Sequence, residues 1–324
     1  ESEIGDSWIH GVATDCVKSA RFRSLLRFRR QLPAAEIPRE FDRHLALVGE
    51  HTWGMDIKTH LGDDTHWHRN DFEKIRRQLP NFARVEASWQ EQRAYLDAAL
   101  AALPESRRRE AEARLAELTP APGDFSRPSQ SLPEIVTDHL RARFDAAGRL
   151  VQLSDPTGSR QYGSLQEPFL TVKYHRYGRA EVMRYLQQYC PWDGSVVQVA
   201  WAAWDMGKIG LADDVKAGAF EAHPAAFAVD DADPETIAVR VRLHWPEPLR
   251  RETGAPRVLE IEYRFHRHEP ELEVILQWFD KPADRLPEAI MAHFAADFSN
   301  AAEWRVGKLG LAVNPAAVVP GGAT

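Results

Sequence analysis

A change of apolar period part-way along the chain predicts an α+β, multi-domain protein: an N-terminal helical bundle followed by a large antiparallel β-sandwich. Three observations carry this. Through the first third, apolar residues recur at the three- and four-residue steps of one helical face. Beyond residue 133 they alternate, as on half-buried strands. Between the two lies a stretch rich in Pro, Ser and Gly, residues 120–133, that suits neither pattern. The expected organisation is a bundle over residues 1–123, a linker over 124–133 and a sandwich over 134–324.

Whole-chain properties bound the function. With 324 residues, 44% of them hydrophobic, the chain has enough material for a sizeable core and for about two domains. The formal net charge of -7 argues against a generally basic surface for nucleic acid or anionic lipid. No run approaches the roughly 20 apolar residues of a bilayer span, and the start lacks the basic and apolar regions of a signal peptide. Cys16 and Cys190 are too few for a disulfide framework or a cysteine-rich zinc site. They fit a reducing compartment without requiring one, which favours the cytoplasm.

Taken in order, Gly5-Asp6-Ser7-Trp8-Ile9-His10-Gly11 reads as a strand end or loop. Residues 17–30 set Val17, Phe22, Leu25, Leu26 and Phe28 among five arginines, the pattern of an amphipathic helix whose charged face is solvated or ion-paired. Pro33 and Pro38 separate it from a second helical run over 41–48. Helical pattern resumes near Asn70 and runs through Phe72, Val85, Leu96 and Leu103, then over 105–118, as in a small bundle with short loops. In the second part, residues 139–144 and 149–153 flank Asp145-Ala146-Ala147-Gly148 as a hairpin. Further strands are expected over 169–174, 195–201, 225–229, 236–245, 257–266 and 272–279, with one helix over 179–189. Trp201, Trp204, Trp245 and Trp278 are read as sandwich core.

The chemistry-bearing stretch is Gly49-Glu50-His51-Thr52-Trp53-Gly54. Two glycines bracketing a Glu-His pair and an indole let the backbone turn while presenting polar side chains. A neutral imidazole is a common metal ligand and an adjacent carboxylate can orient it. One such pair cannot hold zinc alone, since a catalytic site takes three protein ligands. The competing reading is a helix end with Gly49 as its cap. A second cluster, His60, His66 and His68 with Asp63 and Asp64, matches no ligand spacing and reads as loop or cap residues.

Four segments carry a resemblance: residues 3–13, Glu50-His51-Thr52-Trp53-Gly54, Ser88-Trp89-Gln90-Glu91-Gln92-Arg93, and Trp304-Arg305-Val306-Gly307-Lys308-Leu309-Gly310. They resemble the family named domain of unknown function 5054 and, through it, the α-mannosidases of glycoside hydrolase family 38. In those enzymes an N-terminal β/α barrel carries a His-x-Asp motif, a helix bundle follows, and β-domains close the chain. Their bundle loop has a His-His-Asp motif whose second His binds zinc. Laid on it, Glu50 takes the first position, His51 the ligand position and Thr52 the Asp position. Trp8 resembles the Trp of a Trp-x-Gly segment, with the glycine here one residue further on.

The resemblance implies a zinc-dependent retaining glycoside hydrolase acting on a carbohydrate substrate. His51 is the implied Zn2+ ligand, and Glu50, Trp53, Asp6, Trp8 and His10 line the implied sugar site. It also implies that the barrel and its catalytic carboxylates precede Glu1 and that further strands follow Thr324. The chain is thus expected to be an internal fragment, silent on its own, whose first partner is the barrel of the same polypeptide. The alternative is a non-catalytic carbohydrate-binding or interaction module built on the β-sandwich.

Overall fold

The computed structural model describes residues 15–50, 54–189, 208–295, 305–308 and 311–314, with helices through the first third and antiparallel sheets beyond. Asp15 starts α1 (Cys16–Gln31), its carboxylate accepting from the Lys18 backbone N–H at 2.9 Å, which satisfies one of the helix's unpaired donors. A short 3-10 turn, Ala34–Glu36, leads to α2 (Arg39–Glu50), the single turn α3 (Ile57–His60), α4 (Arg69–Ile75), α5 (Pro80–Ala101) and α6 (Glu105–Ala116). Pro80 opens α5 in the first turn, where its missing N–H removes no helical bond.

In α2, Phe41, Leu45 and Val48 stand four and three residues apart on one face. All three are buried, against Leu25 and Phe28 of α1 and Leu96, Ala99 and Leu100 of α5. Each such side chain contributes about 1.5–3 kcal/mol of transfer free energy. The arginine run of α1 is partly ion-paired: Arg29 Nε donates to Asp42 Oδ1 at 2.5 Å and Arg21 Nη2 to Asp97 Oδ1 at 2.7 Å. Val17, grouped with the apolar face by its spacing, is exposed in the first turn. A second small helical core joins Leu61, Phe72, Phe82 and Val85.

The β part is divided among several antiparallel sheets. β1 (Ile135–Val136), β2 (Arg141–Phe144), β3 (Leu150–Ser154) and β4 (Gln161–Gly163) pair in chain order. A second sheet, ordered β10-β9-β8-β7, contains β7 (His223–Asp230), β8 (Thr236–His244), β9 (Val258–His266) and β10 (Leu272–Phe279). A third, ordered β11-β5-β6, joins β5 (Leu170–Arg176), β6 (Gly218–Glu221) and β11 (Glu288–Phe294). Two short strands, β12 (Val306–Lys308) and β13 (Leu311–Val313), pair with each other. Helices α7 (Arg179–Tyr189) and α8 (Glu247–Thr253) lie among the strands. The first three sheets share one core, in which Leu150, Tyr174, Val239, Trp245, Leu259 and Phe265 are fully buried.

Register in the second sheet follows from side-chain chemistry. Arg240 stands opposite Glu262 and Arg242 opposite Glu260, each pair with an N···O distance of 2.6 Å, while Val241 and Leu243 face inward opposite Ile261 and Leu259. A one-residue slip would turn the arginines into the core. Trp245 is core as expected, but Trp278 is 43% exposed because β10 is an edge strand; Trp201, Trp204 and the expected strand over 195–201 lie outside the described residues. The Pro-rich stretch runs over the outside of this same sheet. The Gly123 N–H donates to Glu260 Oε2 at 2.7 Å, Arg242 stacks on the Phe125 ring at 4.1 Å, and Ser129 pairs with Phe227. Among the described residues no helix is long and apolar enough to cross a membrane.

The hairpin turn shows why one glycine is needed. Asp145 Oδ1 accepts from the N–H groups of Ala147 and Arg149, both at 2.9 Å, and Gly148 takes φ 77°. A Cβ there would lie 2.7 Å from both Phe227 and Val241. The Gly148→Ala variant is expected to lose about 1–3 kcal/mol through strain and overpacking, read as a lower urea midpoint. An unchanged midpoint would show that this turn does not close the core.

Candidate functional site

Glu50 is the last residue of α2. Its side chain, and His51, Thr52, Trp53, Asp6, Trp8 and His10, lie outside the described residues. The structure does describe how this stretch is held at both ends. Upstream, the buried face of α2 fixes its last turns against α5. Downstream, the Met55 N–H donates to Ser88 Oγ at 2.9 Å, and the Ser88 hydroxyl donates to the Val85 carbonyl at 2.6 Å. A Cβ on Gly54 would lie 2.1 Å from Ser88 Oγ, so glycine is what permits the approach. Gly49 is different: α2 runs past it to Glu50 and its φ is not positive, so it is not a left-handed cap.

The anchoring face of α5 is polar where it meets this stretch. Gln92 lies one turn beyond Ser88 on the same face, and its Oε1 is buried without a hydrogen-bond partner. Arg93 Nε donates to Asp15 Oδ2 at 2.6 Å, so the start of α1 is tied to the same turns. Segment 88–93, which carries part of the resemblance, thus holds Gly54 and Met55 through Ser88 and Asp15 through Arg93. Among the described residues no group of three or more His, Cys, Asp or Glu side chains is placed to hold a metal ion. His51, Asp6, His10 and the Glu50 side chain lie outside those residues, and one imidazole alone would not hold a catalytic zinc ion, which takes three protein ligands.

In the second histidine cluster, Asp63 and His66 are tied into a structural seam. Asp63 accepts at both oxygens: Arg285 Nη1 lies 2.6 Å from Oδ1, and His66 Nδ1 lies 2.6 Å from Oδ2. Arg285 also donates to the backbone carbonyls of Asp63 and His66, and its guanidinium stacks on Trp67 at 4.2 Å. Trp67 Nε1 donates to the carbonyls of Asp64 and Ile209, both at 2.9 Å, while its ring packs with Val182, Leu211, Val215 and Leu286. This seam joins helical and β parts. Burial works to raise the Asp63 pKa, but hydrogen bonds from His66 and Arg285, with the guanidinium charge, outweigh it and hold the carboxyl at about 2.

Sequence reasoning missed a third polar group, because its members are far apart in the chain. The Tyr174 hydroxyl lies 2.7 Å from the Thr253 carbonyl and 2.5 Å from Glu288 Oε2, and Lys281 Nζ lies 2.5 Å from Glu288 Oε1. Burial, then the Glu288 carboxylate, push the Tyr174 pKa up and keep the phenol protonated. Beside them, Arg176 and Asp284 have side chains only 4% and 0% exposed. Asp284 is sealed from solvent and Glu288 is paired with Lys281, so the arrangement does not present two acids to a substrate.

The family model described as "Domain of unknown function (DUF5054)" matches residues 12–273. No curated protein and no solved structure matches the chain.

The Asp63 clamp sets an acid limb. Its carboxyl is depressed from 3.8 to about 2, so its contribution is fully present above pH 3.8 and is lost as pH falls through about 2. That contribution is on the order of 2 kcal/mol. Asp63→Asn should flatten the fall in stability between those pH values, measured by urea unfolding; an acid limb identical to that of the parent would refute the assignment.

Proposed function

The chain belongs to the family described as domain of unknown function 5054, and from that membership we propose that it forms the helical and β portion of a zinc-dependent retaining glycoside hydrolase of the α-mannosidase type. The observation that carries the reading is the double anchoring of the Glu50–Gly54 stretch, by α2 on one side and by the Gly54–Ser88 approach on the other. A loop that must present a ligand gains from rigid ends, since misplacement of even about 1 Å can cost 100-fold in rate.

In this proposal His51 offers a neutral imidazole to the metal from the bundle side. The zinc ion, when bound, would template adjacent sugar hydroxyls and stabilise developing charge. Glu50, Trp53, Asp6, Trp8 and His10 line the sugar site, the indoles offering apolar faces to C–H groups. The nucleophile and general acid, about 5–5.5 Å apart in retaining enzymes, come from the barrel of the same polypeptide, which also completes the metal site. A second reading, a carbohydrate-binding or interaction module, has in its favour the half-exposed Trp278 on edge strand β10.

The test uses the complete open reading frame, assayed for bound zinc and on a panel of aryl glycosides. His51→Ala is expected to lower zinc affinity and turnover by at least about tenfold without moving the urea midpoint. Retention of both would refute the ligand role. Loss of carbohydrate binding in Trp278→Ala, with His51→Ala silent, would favour the module.

A further inference from the structure

Around Gly254 three charged side chains from separate parts of the chain turn inward. Arg69 comes from α4, Arg176 from the end of β5, and Asp284 from the loop before β11. Some of their polar atoms are accounted for. Asp284 Oδ1 accepts from the N–H groups of Arg285 at 2.7 Å and Leu286 at 3.1 Å, and Arg176 Nη1 donates to the Glu252 carbonyl at 3.0 Å. Arg69 Nη1, Arg176 Nε and Asp284 Oδ2 are buried with no hydrogen-bond partner. The nearest approach between Arg176 and Asp284, Nη2 to Oδ2, is 3.7 Å and too long for a hydrogen bond.

Gly254 holds two of these atoms, Arg69 Nη1 and Asp284 Oδ2, around one point, and the Arg176 guanidinium stands beside them with Nη2 3.7 Å from Asp284 Oδ2. The glycine ends α8 in the left-handed conformation, with φ 76°, and a Cβ on it would lie 2.8 Å from Asp284 Oδ2 and 2.9 Å from Arg69 Nη1. The bare Cα therefore leaves an acceptor and a donor facing the same space, while their separation is too large to count as an ion pair.

Leaving a buried polar group unpaired costs about 1–3 kcal/mol, and more when it is charged. Two guanidinium donors and one carboxylate acceptor need a group that accepts twice and donates once. A halide or carboxylate would serve the arginines but stand against Asp284 with like charge. A metal cation would serve Asp284 and be repelled by both guanidiniums. A water oxygen does all three, and three hydrogen bonds is the usual number for a buried water. We infer that Arg69, Arg176 and Asp284 form the binding site of one internal water molecule, which bridges the helical part to the β part beside Gly254. It accepts from Arg69 Nη1 and Arg176 Nε and donates to Asp284 Oδ2. The site is independent of the glycosidase reading.

A high-resolution crystal structure of this chain, from crystals soaked in bromide, tests the site directly. The expected result is a density peak within hydrogen-bond distance of all three atoms and no anomalous bromide signal there. Bromide at that position would overturn the assignment in favour of an anion site. A direct Arg69–Asp284 contact with no peak between would overturn it in favour of a simple ion pair. In Arg69→Leu crystals the peak should weaken or vanish while Asp284 keeps its bonds to the Arg285 and Leu286 N–H groups; an undiminished peak would sink the bridging role.

Discussion

Arg285 is the residue on which the relation of the two halves depends. Its side chain is 11% exposed and that of Asp63 is 7% exposed, so both charges have been taken largely out of water. Desolvation at such a position costs several kcal/mol per ion unless the geometry is good and the remaining donors are used. Here they are: one guanidinium meets a carboxylate and two backbone carbonyls, and its flat faces meet Trp67 and Phe82. Arginine suits this role better than lysine would, because a planar fork can bond at its edge and stack on its face together. Phe82 also belongs to the small helical core with Leu61, Phe72 and Val85, so the clamp reaches into the helical packing itself.

That clamp and the candidate loop are linked through α5. The helix carries Phe82 near its start, Ser88 and Gln92 in the next turns, and Leu96 and Leu100 in the main helical core. One rigid element thus connects the seam, the anchor of Gly54 and Met55 and the bundle interior. Adjacent residues Asp284 and Arg285 reach from the β part towards Arg69 and Asp63, and of the two only Arg285 closes a direct bond, to Asp63.

What was legible in the sequence follows from how local each signal is. The three- and four-residue steps of Phe41, Leu45 and Val48 mark a helix because the helix itself sets that period. The Asp145–Gly148 turn is legible because aspartate and glycine act within four residues. The strands β6 and β11 were not, since Gly-Ala-Phe-Glu barely alternates and the exposed half of β11 owes its form to pairing with β5. The same limit applies to the site. Gly54 marked a place where the backbone can turn, but not its close approach to Ser88. Nothing near Asp284, Arg176 or Arg69 in sequence forecasts their meeting, which rests on contacts across more than a hundred residues.

The strap formed by residues 121–129 matters to anyone dividing this chain for separate expression. Composition suggests a cut near residue 123, yet Gly123 supplies a donor to Glu260, which is 5% exposed, and Phe125 covers the guanidinium of Arg242. A β piece that begins after Phe125 would leave a carboxylate short of a partner and open one face of its largest sheet to self-association. A cut placed ahead of Ala121, whose carbonyl accepts from Gln277 Nε2 at 3.3 Å, keeps the strap with the sheet it covers.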